Sequence, residues 1–319
     1  MTQARAFWTI GPGVGAIRTE TLSTSDGLLV RTIATGVSRG TESLVFAGRV
    51  PANQFEAMRA PLMAGTFPFP VKYGYSAVGR LPNNDRVFVL NPHQDVFYAP
   101  PSMCVPVPDR VPSNRAVLAA NMETALNIAW DAAPLAGERI LVIGAGVVGL
   151  LVASLLVRVP GTCVAVVDLD PARAALATRF GCRFALPSDA PHEQELIVHA
   201  SASEAGLRLA LSHAAFEGRI VEASWYGDRA PSVPLGEDFH AKRLRLTSSQ
   251  VGSVAAPMRG RRSHGERLAM ALDLLADPTY DALLEGPTPF EAMATAMPAI
   301  LAPGGLCHVI TYGSDPCSA

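Results

Sequence analysis

One stretch decides what this chain can fold into: Arg139-Ile-Leu-Val-Ile-Gly144-Ala-Gly146-Val147-Val148-Gly149, then an uncharged run to Val157 and Thr162-Cys-Val-Ala-Val-Val-Asp168-Leu-Asp170. The pattern predicts strand, glycine turn, helix and second strand, with an acid closing the second strand. Gly144 permits the tight turn, Gly146 lets backbone approach a pyrophosphate, and Gly149 lets the helix press close to the sheet. The helix N-terminus at Val147 and Val148 then faces the phosphates. Asp168 comes 24 residues after Gly144, where a carboxylate meets adenosine ribose hydroxyls and repels a 2′-phosphate, so NAD(H) is favoured over NADP(H). Two plainer readings compete. One is a parallel sheet whose glycines serve packing alone; the other is a membrane span, because Ile140 to Val157 carries no charge. Gly144, Gly146, Gly149 and Ser154 break the uniformity of that run and Val166-Val167-Asp168 continues as a strand, which argues against the span.

With 319 residues the chain has room for two domains of ordinary size. A net charge of −2 gives no reason to expect nucleic acid or membrane as the main partner, and a small-molecule substrate is expected instead. The cysteines, Cys104, Cys163, Cys182, Cys307 and Cys317, are odd in number and form no CxxC pair. That is reduced usage, neither a disulfide frame nor a zinc knuckle. The start, MTQARAFWTI, lacks the basic opening and long apolar centre of a signal peptide, so the expected compartment is the cytoplasm.

Residues 1 to about 110 are short β-like runs punctuated by Gly and Pro: Ala4 to Ile10, Gly27 to Thr35, Tyr75 to Arg80, Arg86 to Leu90 and Ser102 to Val107. Such spacing predicts a small, partly closed barrel. Ser113 to Trp130 is helical in period and leads into the nucleotide unit. Beyond that unit come a helix (Pro171 to Phe180), a strand (Glu195 to His199), a helix (Glu204 to Ala214), a strand (Gly218 to Glu222) and a last strand (Arg243 to Thr247). This alternation makes a doubly wound parallel sheet. A basic loop (Arg259, Arg261, Arg262), helices at Glu266 to Ala276 and Phe290 to Ile300, and a strand at Leu306 to Tyr312 complete the chain and are expected to return to the barrel.

Barrel, nucleotide unit and returning tail together resemble the medium-chain dehydrogenase/reductase superfamily, the alcohol dehydrogenase group with a GroES-like domain, over nearly the whole chain. Thr35-Gly-Val-Ser-Arg-Gly-Thr-Glu42, Phe46-Ala-Gly-Arg-Val-Pro51 and Tyr73-Gly-Tyr-Ser-Ala-Val-Gly79 look more closely like the branch containing bacteriochlorophyllide a dehydrogenase and uncharacterised zinc-binding dehydrogenase relatives. The resemblance implies an α/β fold: a GroES-like catalytic domain at 1–115, completed by 256–319, and a Rossmann dinucleotide-binding domain at 116–255. It also implies a homodimer. Zinc members of the superfamily carry a Cys after the first Gly-Val, a Gly-His-Glu, and a third ligand near the interdomain helix. Here Ser38 or Arg39 stands at the first position, Gly74-Tyr75-Ser76 replaces the second, and no Cys or His occurs between Val105 and Thr162. The four-cysteine structural lobe is absent too. A catalytic zinc needs three protein ligands and an open position, so no metal is expected.

Without zinc, the alkoxide left by hydride transfer needs another stabiliser and a proton. Tyr75 takes the place of the zinc-ligand His in the resemblance and is the first choice as proton donor; the alternative is an aromatic filler. Lys72 would lower the phenol's pKa if the two converged, but strand alternation puts it on the opposite face from Tyr73 and Tyr75. Thr41 matches the residue that relays a proton from substrate alcohol, and Glu42 the acid after it; either also suits a helix cap. Arg39 binds a substrate carboxylate or serves in an ion pair. His93, the only His in the first 190 residues, is either catalytic or a satisfied structural group. Glu123, a carboxylate on an apolar helix, either faces the cleft or meets an Arg. The resemblance sets Thr124 against the nicotinamide and Arg173 on the adenosine ribose, the latter otherwise an exposed helix Arg. Gln250, in Ser248-Ser-Gln-Val-Gly252 after the last strand, is placed to line the nicotinamide end.

The leading expectation is a zinc-independent oxidoreductase moving hydride between NAD(H) and an alcohol or carbonyl, bulky or cyclic by the branch resemblance. Gly-Tyr-Ser in place of that branch's Gly-Tyr-Glu counts against a tetrapyrrole. The alternatives are a catalytically silent NAD(H)-binding sensor or partner module, and an NADPH-dependent enoyl or quinone reductase, against which Asp168 counts.

Overall fold

The computed structural model describes residues 2–22 and 27–313. The chain divides into two compact units, Met1–Ala120 with Leu268–Ala319, and Asn121–Arg267. The sequence had suggested junctions after residues 115 and 255.

The second unit is a six-stranded parallel sheet. Its spatial order is Arg183–Ala185, Cys163–Val167, Arg139–Ile143, Gln194–His199, Ala214–Glu222 and Arg245–Ser248. Numbered along the chain the order is 3-2-1-4-5-6, so the direction of winding reverses between Arg139–Ile143 and Gln194–His199. This is the Rossmann arrangement, whose ligand crevice lies beyond the strand carboxyl ends at that reversal. Leu141, Ile143, Val167, Ile197 and Ile220 fill the sheet's core with Ala210 and Leu211 of the Glu204–His213 helix. Each fully buried branched side chain of this kind contributes about 1.5–3 kcal/mol. The uncharged run after Arg139 is a strand and then a ten-residue helix, Val147–Leu156, and no helix among the described residues is long and apolar enough to cross a membrane.

The first unit is the GroES-like barrel. Its long strand Leu28–Val37 pairs with Ala77–Arg80, Val96–Ala99 and Cys307–Thr311, and the hairpin Thr2–Gly11 with Val14–Leu22 joins Val71–Lys72 in a second sheet. The tail belongs to this core: Phe290, Met293, Met297, Ile300 and Ile310 pack against Phe7, Val37 and Phe46.

The strands Val14–Leu22, Val96–Ala99, Arg183–Ala185 and Leu284–Pro289 were not read from sequence, and three further elements differ. The helix read as Ser113 to Trp130 is two, Ser113–Ala116 and Ala119–Ala132, and the Ser76 hydroxyl takes the Val117 carbonyl at the break. The strand read as Ser102 to Val107 shrinks to Val105–Pro106 behind a turn at Pro101–Met103, because prolines cannot donate to a ladder. The helix Arg39–Phe46, which carries Thr41 and Glu42, was not read from sequence; its eight residues are too few for a clear period.

Candidate functional site

In the Rossmann unit the glycine turn is built by steric necessity. Gly144 has φ +107°, and a Cβ there would lie 2.9 Å from the Ala200 carbonyl carbon and the Ser201 nitrogen. A Cβ on Gly149 would be driven into the Gly144 carbonyl oxygen. Gly146 is different: exposed, it begins the Val147–Leu156 helix, no side chain caps that first turn, and a Cβ would meet nothing within 4 Å. The half-buried Val147 and Val148 follow. An uncapped helix start of this kind presents its first backbone N–H groups to that open space.

Asp168 closes the neighbouring strand, and its carboxylate accepts from the Ala145 N–H at 2.6 Å and the Asp170 N–H at 2.9 Å. Those bonds fix the rotamer beside the turn. A carboxylate has about four acceptor positions, which leaves room for a vicinal diol. Arg173 is buried and pairs with Asp170 at 3.5 Å, so it is not the exposed helix Arg of the plainer reading. Thr124 is half-buried on the Ala119–Ala132 helix, and Gln250 is exposed with Oε1 accepting from the Gly252 N–H at 2.7 Å.

Glu123 meets an arginine. Arg267 Nε stands 3.0 Å from Glu123 Oε1, and the same guanidinium donates to Asn127 and to the Ser253 and Val251 carbonyls, the last at 2.6 Å. Burial, the strongest influence, raises the Glu123 carboxyl above its usual range against the pull of Arg267. With both side chains almost wholly enclosed, the pair ties the helix to the Val251–Ser253 loop instead of offering a free acid.

In the barrel unit a polar cluster surrounds Tyr75. The half-buried phenol is hydrogen-bonded to the Ser38 and Thr41 hydroxyls; burial and the nearby Glu42 push it up to about 12 against those two bonds. It therefore stays protonated at neutral pH and keeps its hydrogen, as a weaker acid than an ordinary phenol. Lys72 is bonded to Glu20 at 2.8 Å and Gln94 at 2.9 Å. Beneath Tyr75, Glu42 Oε1 accepts from the Ser38 N–H at 2.7 Å, and Oε2 lies 2.9 Å from His93 Nε2. His93 Nδ1 is 2.7 Å from the Thr35 hydroxyl, which is 3.2 Å from the Tyr312 hydroxyl. With 1% of its side chain exposed and both nitrogens bonded, His93 is a core histidine that orients Glu42, and it touches no solvent from which a substrate could come. Arg39 is committed as well, donating to the Ile300 and Ala302 carbonyls at the end of the Met293–Ile300 helix.

At the first position that the resemblance compares with a zinc ligand, Ser38 gives its N–H to Glu42 and Arg39 is bound to carbonyls; at the second the Tyr75 phenol is bound to two hydroxyls, and Ser76 after it donates to Val117. That donor set does not fit a catalytic zinc. Among the described residues no three His, Cys, Asp or Glu side chains gather as a metal site would need. Cys104, Cys163, Cys182 and Cys307 are free thiols, and Cys317 lies outside the described residues.

No family model matches the chain. Among curated proteins it is similar to an uncharacterized zinc-type alcohol dehydrogenase-like protein of Haemophilus influenzae, 26% identical over 175 residues, 49% of this chain and 50% of the relative. The match thus spans about half the length of that relative. Among solved structures, L-idonate 5-dehydrogenase from Escherichia coli superposes with a TM-score of 0.80 at 14% identity, over 97% of this chain and 98% of that one. An E. coli alcohol dehydrogenase complexed with NADH superposes with a TM-score of 0.78 at 18% identity, over 98% and 100%. The fold is that of the medium-chain alcohol dehydrogenases, a GroES-like unit with a Rossmann unit.

Two polar groups escaped the sequence reading. Arg267, inside the helix read as Glu266 to Ala276, was not singled out. His199 and Glu222 each end a parallel strand, and consecutive parallel strands that neighbour each other bring their last residues together, which was the available signal.

Proposed function

We propose that the chain is a nicotinamide-dependent oxidoreductase that transfers hydride between NAD(H) and an alcohol or carbonyl without a catalytic zinc. The observation that carries this reading is the uncapped helix start at Gly146 with Asp168 pinned beside it on a 3-2-1-4-5-6 sheet. Gly144, Gly146, Val147, Val148 and Gly149 hold the pyrophosphate, Asp168 takes the adenosine ribose with Arg173 behind it, and Thr124 and Gln250 attend the nicotinamide. The NADH complex of a protein sharing this fold supports a nicotinamide cofactor.

The cofactor when bound supplies or accepts the hydride. The chain's own part is to neutralise charge developing on the substrate oxygen. Tyr75 and Thr41 are the hydroxyls assigned to that task, with Thr41 relaying a proton between the substrate oxygen and solvent and Tyr75 donating a hydrogen bond. Glu42, held by His93 and by the Ser38 N–H, fixes the turn that carries Ser38 and Thr41. The branch resemblance points to a bulky or cyclic substrate; Phe55, Phe67, Tyr73 and Tyr75 pack ring against ring at 5.6–6.0 Å. The edge strand Arg245–Ser248, exposed at all four residues, supports a homodimer paired through this sheet. Cytoplasmic placement remains the expectation from sequence.

Following nicotinamide absorbance over a panel of cyclic and aromatic alcohols and ketones, with and without chelator, tests the proposal. Chelator-resistant turnover with NAD(H) is expected. NADH binding with no turnover on any member would favour the silent sensor, and faster turnover of enones with NADPH the reductase.

A further inference from the structure

His199 is fully buried at the end of its strand, in register with Glu222 at the end of the next. Its Nδ1 stands 2.7 Å from Glu222 Oε2 and its Nε2 2.7 Å from Ser201 Oγ. The same carboxylate accepts from the Ser224 N–H at 2.8 Å and the Tyr226 hydroxyl at 3.2 Å. Ser201 Oγ continues to Ser203 Oγ at 2.8 Å, and Ser203 caps the Glu204–His213 helix through the Gly206 N–H. A further link, Ala202 N–H to Ser224 Oγ at 3.0 Å, joins the two loops directly.

Burial opposes charge on Glu222, yet the bonds from His199 and Ser224 outweigh it and hold the carboxyl below its ordinary range. An ionised Glu222 only accepts, so it fixes the imidazole N–H on Nδ1 and leaves Nε2 to accept from Ser201. One buried ring thereby ties residues 200–203 to residues 223–226.

That tie sits next to the glycine turn. Ile143 faces His199 across the winding reversal, the Ala200 N–H donates to the Ile143 carbonyl at 2.8 Å, and Gly144 packs on Ala200 and Ser201. A buried polar network gives little net stability over apolar packing of the same volume; what it gives is fixed geometry. We propose that His199 and Glu222 are positioning residues for the nicotinamide half of a bound dinucleotide, holding the loops 200–203 and 223–226 at the carboxyl edge of the sheet. The inference rests on the dinucleotide reading and extends it to the strands beyond the reversal, away from Asp168.

The test compares NADH with AMP, whose adenosine reaches only the Asp168 side. His199→Phe fills the space and removes both bonds, whereas His199→Asn keeps a donor toward Glu222. His199→Phe is expected to weaken NADH roughly 10- to 100-fold, the loss of one or two ordering bonds, with AMP changed less than about 2-fold and His199→Asn in between. If His199→Phe does not fold, Ser201→Ala supplies the same ratio from the bond next along the chain. Equal losses for both probes would make the network a support of the fold alone and overturn the proposal, as would no change in either. A wild-type protein that refuses NADH would instead sink the dinucleotide reading, and this inference with it.

Discussion

The glycine turn of the Rossmann unit and the Tyr75 cluster of the barrel unit are assembled by opposite means. The turn is local: its first and third glycines are forced by contacts within one strand–turn–helix unit and the loop beside it, and the second is open. The cluster is long-range: Thr35 and Glu42 share one stretch, Tyr75, His93 and Tyr312 come from three others, and strand pairing brings them together before side-chain bonds complete the cluster. The turn is therefore specified by residue size and the cluster by completeness of its hydrogen bonding, so they should fail differently under mutation.

The largest expected effect is at the turn. Gly149→Val puts carbon into the Gly144 carbonyl, and should cost about 3 kcal/mol or more, seen as loss of the cooperative melting transition. In the cluster, His93→Leu strands Glu42 with one of its two partners gone and should cost about 2–4 kcal/mol, His93→Gln clearly less, by denaturant titration. If His93→Leu were neutral, the cluster would not depend on bonding as argued.

Tyr75→Phe removes one hydroxyl from a half-buried site and should leave stability within about 1 kcal/mol. Turnover should fall about 10- to 100-fold with little change in KM for NADH, the pattern of a bond made in the transition state. Because the phenol is pushed up to about 12, the wild-type rate should show no alkaline limb from Tyr75 in the neutral range.

The smallest expected effect concerns pH. Glu222 is held below its unfolded value, about 4.3. Its contribution to stability is thus present above that value and lost as pH falls through the lower folded value. The Tm difference between wild type and Glu222→Gln should therefore be largest near neutrality and shrink on acidification below about pH 4. A difference that grew on acidification would reverse the sign of the argument.

The same contrast explains what could be read from sequence. The Rossmann sheet and turn were legible because strand, glycines, helix and Asp168 lie within 32 consecutive residues, from Arg139 to Asp170, and follow fixed periods. The roles of Glu123 and His93 were not, since nothing local says that Arg267 lies 144 positions later or that Glu42 and Thr35 fill both imidazole nitrogens. Each had been stated as a choice between catalyst and satisfied structural group, and the partners visible in the structure favour the second for both. The helix Arg39–Phe46 was hidden because eight residues are too few for a clear period, although its last residue, Phe46, packs with the tail residues Phe290 to Ile310.

The central claim is that a nicotinamide dinucleotide binds on the open helix start at Gly146 with its adenosine ribose on Asp168. Fluorescence titration with NADH and NADPH, on wild type and on a folded Gly146→Val variant, tests it most directly. The account predicts saturable NADH binding, weaker NADPH binding, and loss of both in the variant without loss of the melting transition. Wild-type protein that binds neither coenzyme, or a Gly146→Val variant that binds NADH unchanged, would contradict it.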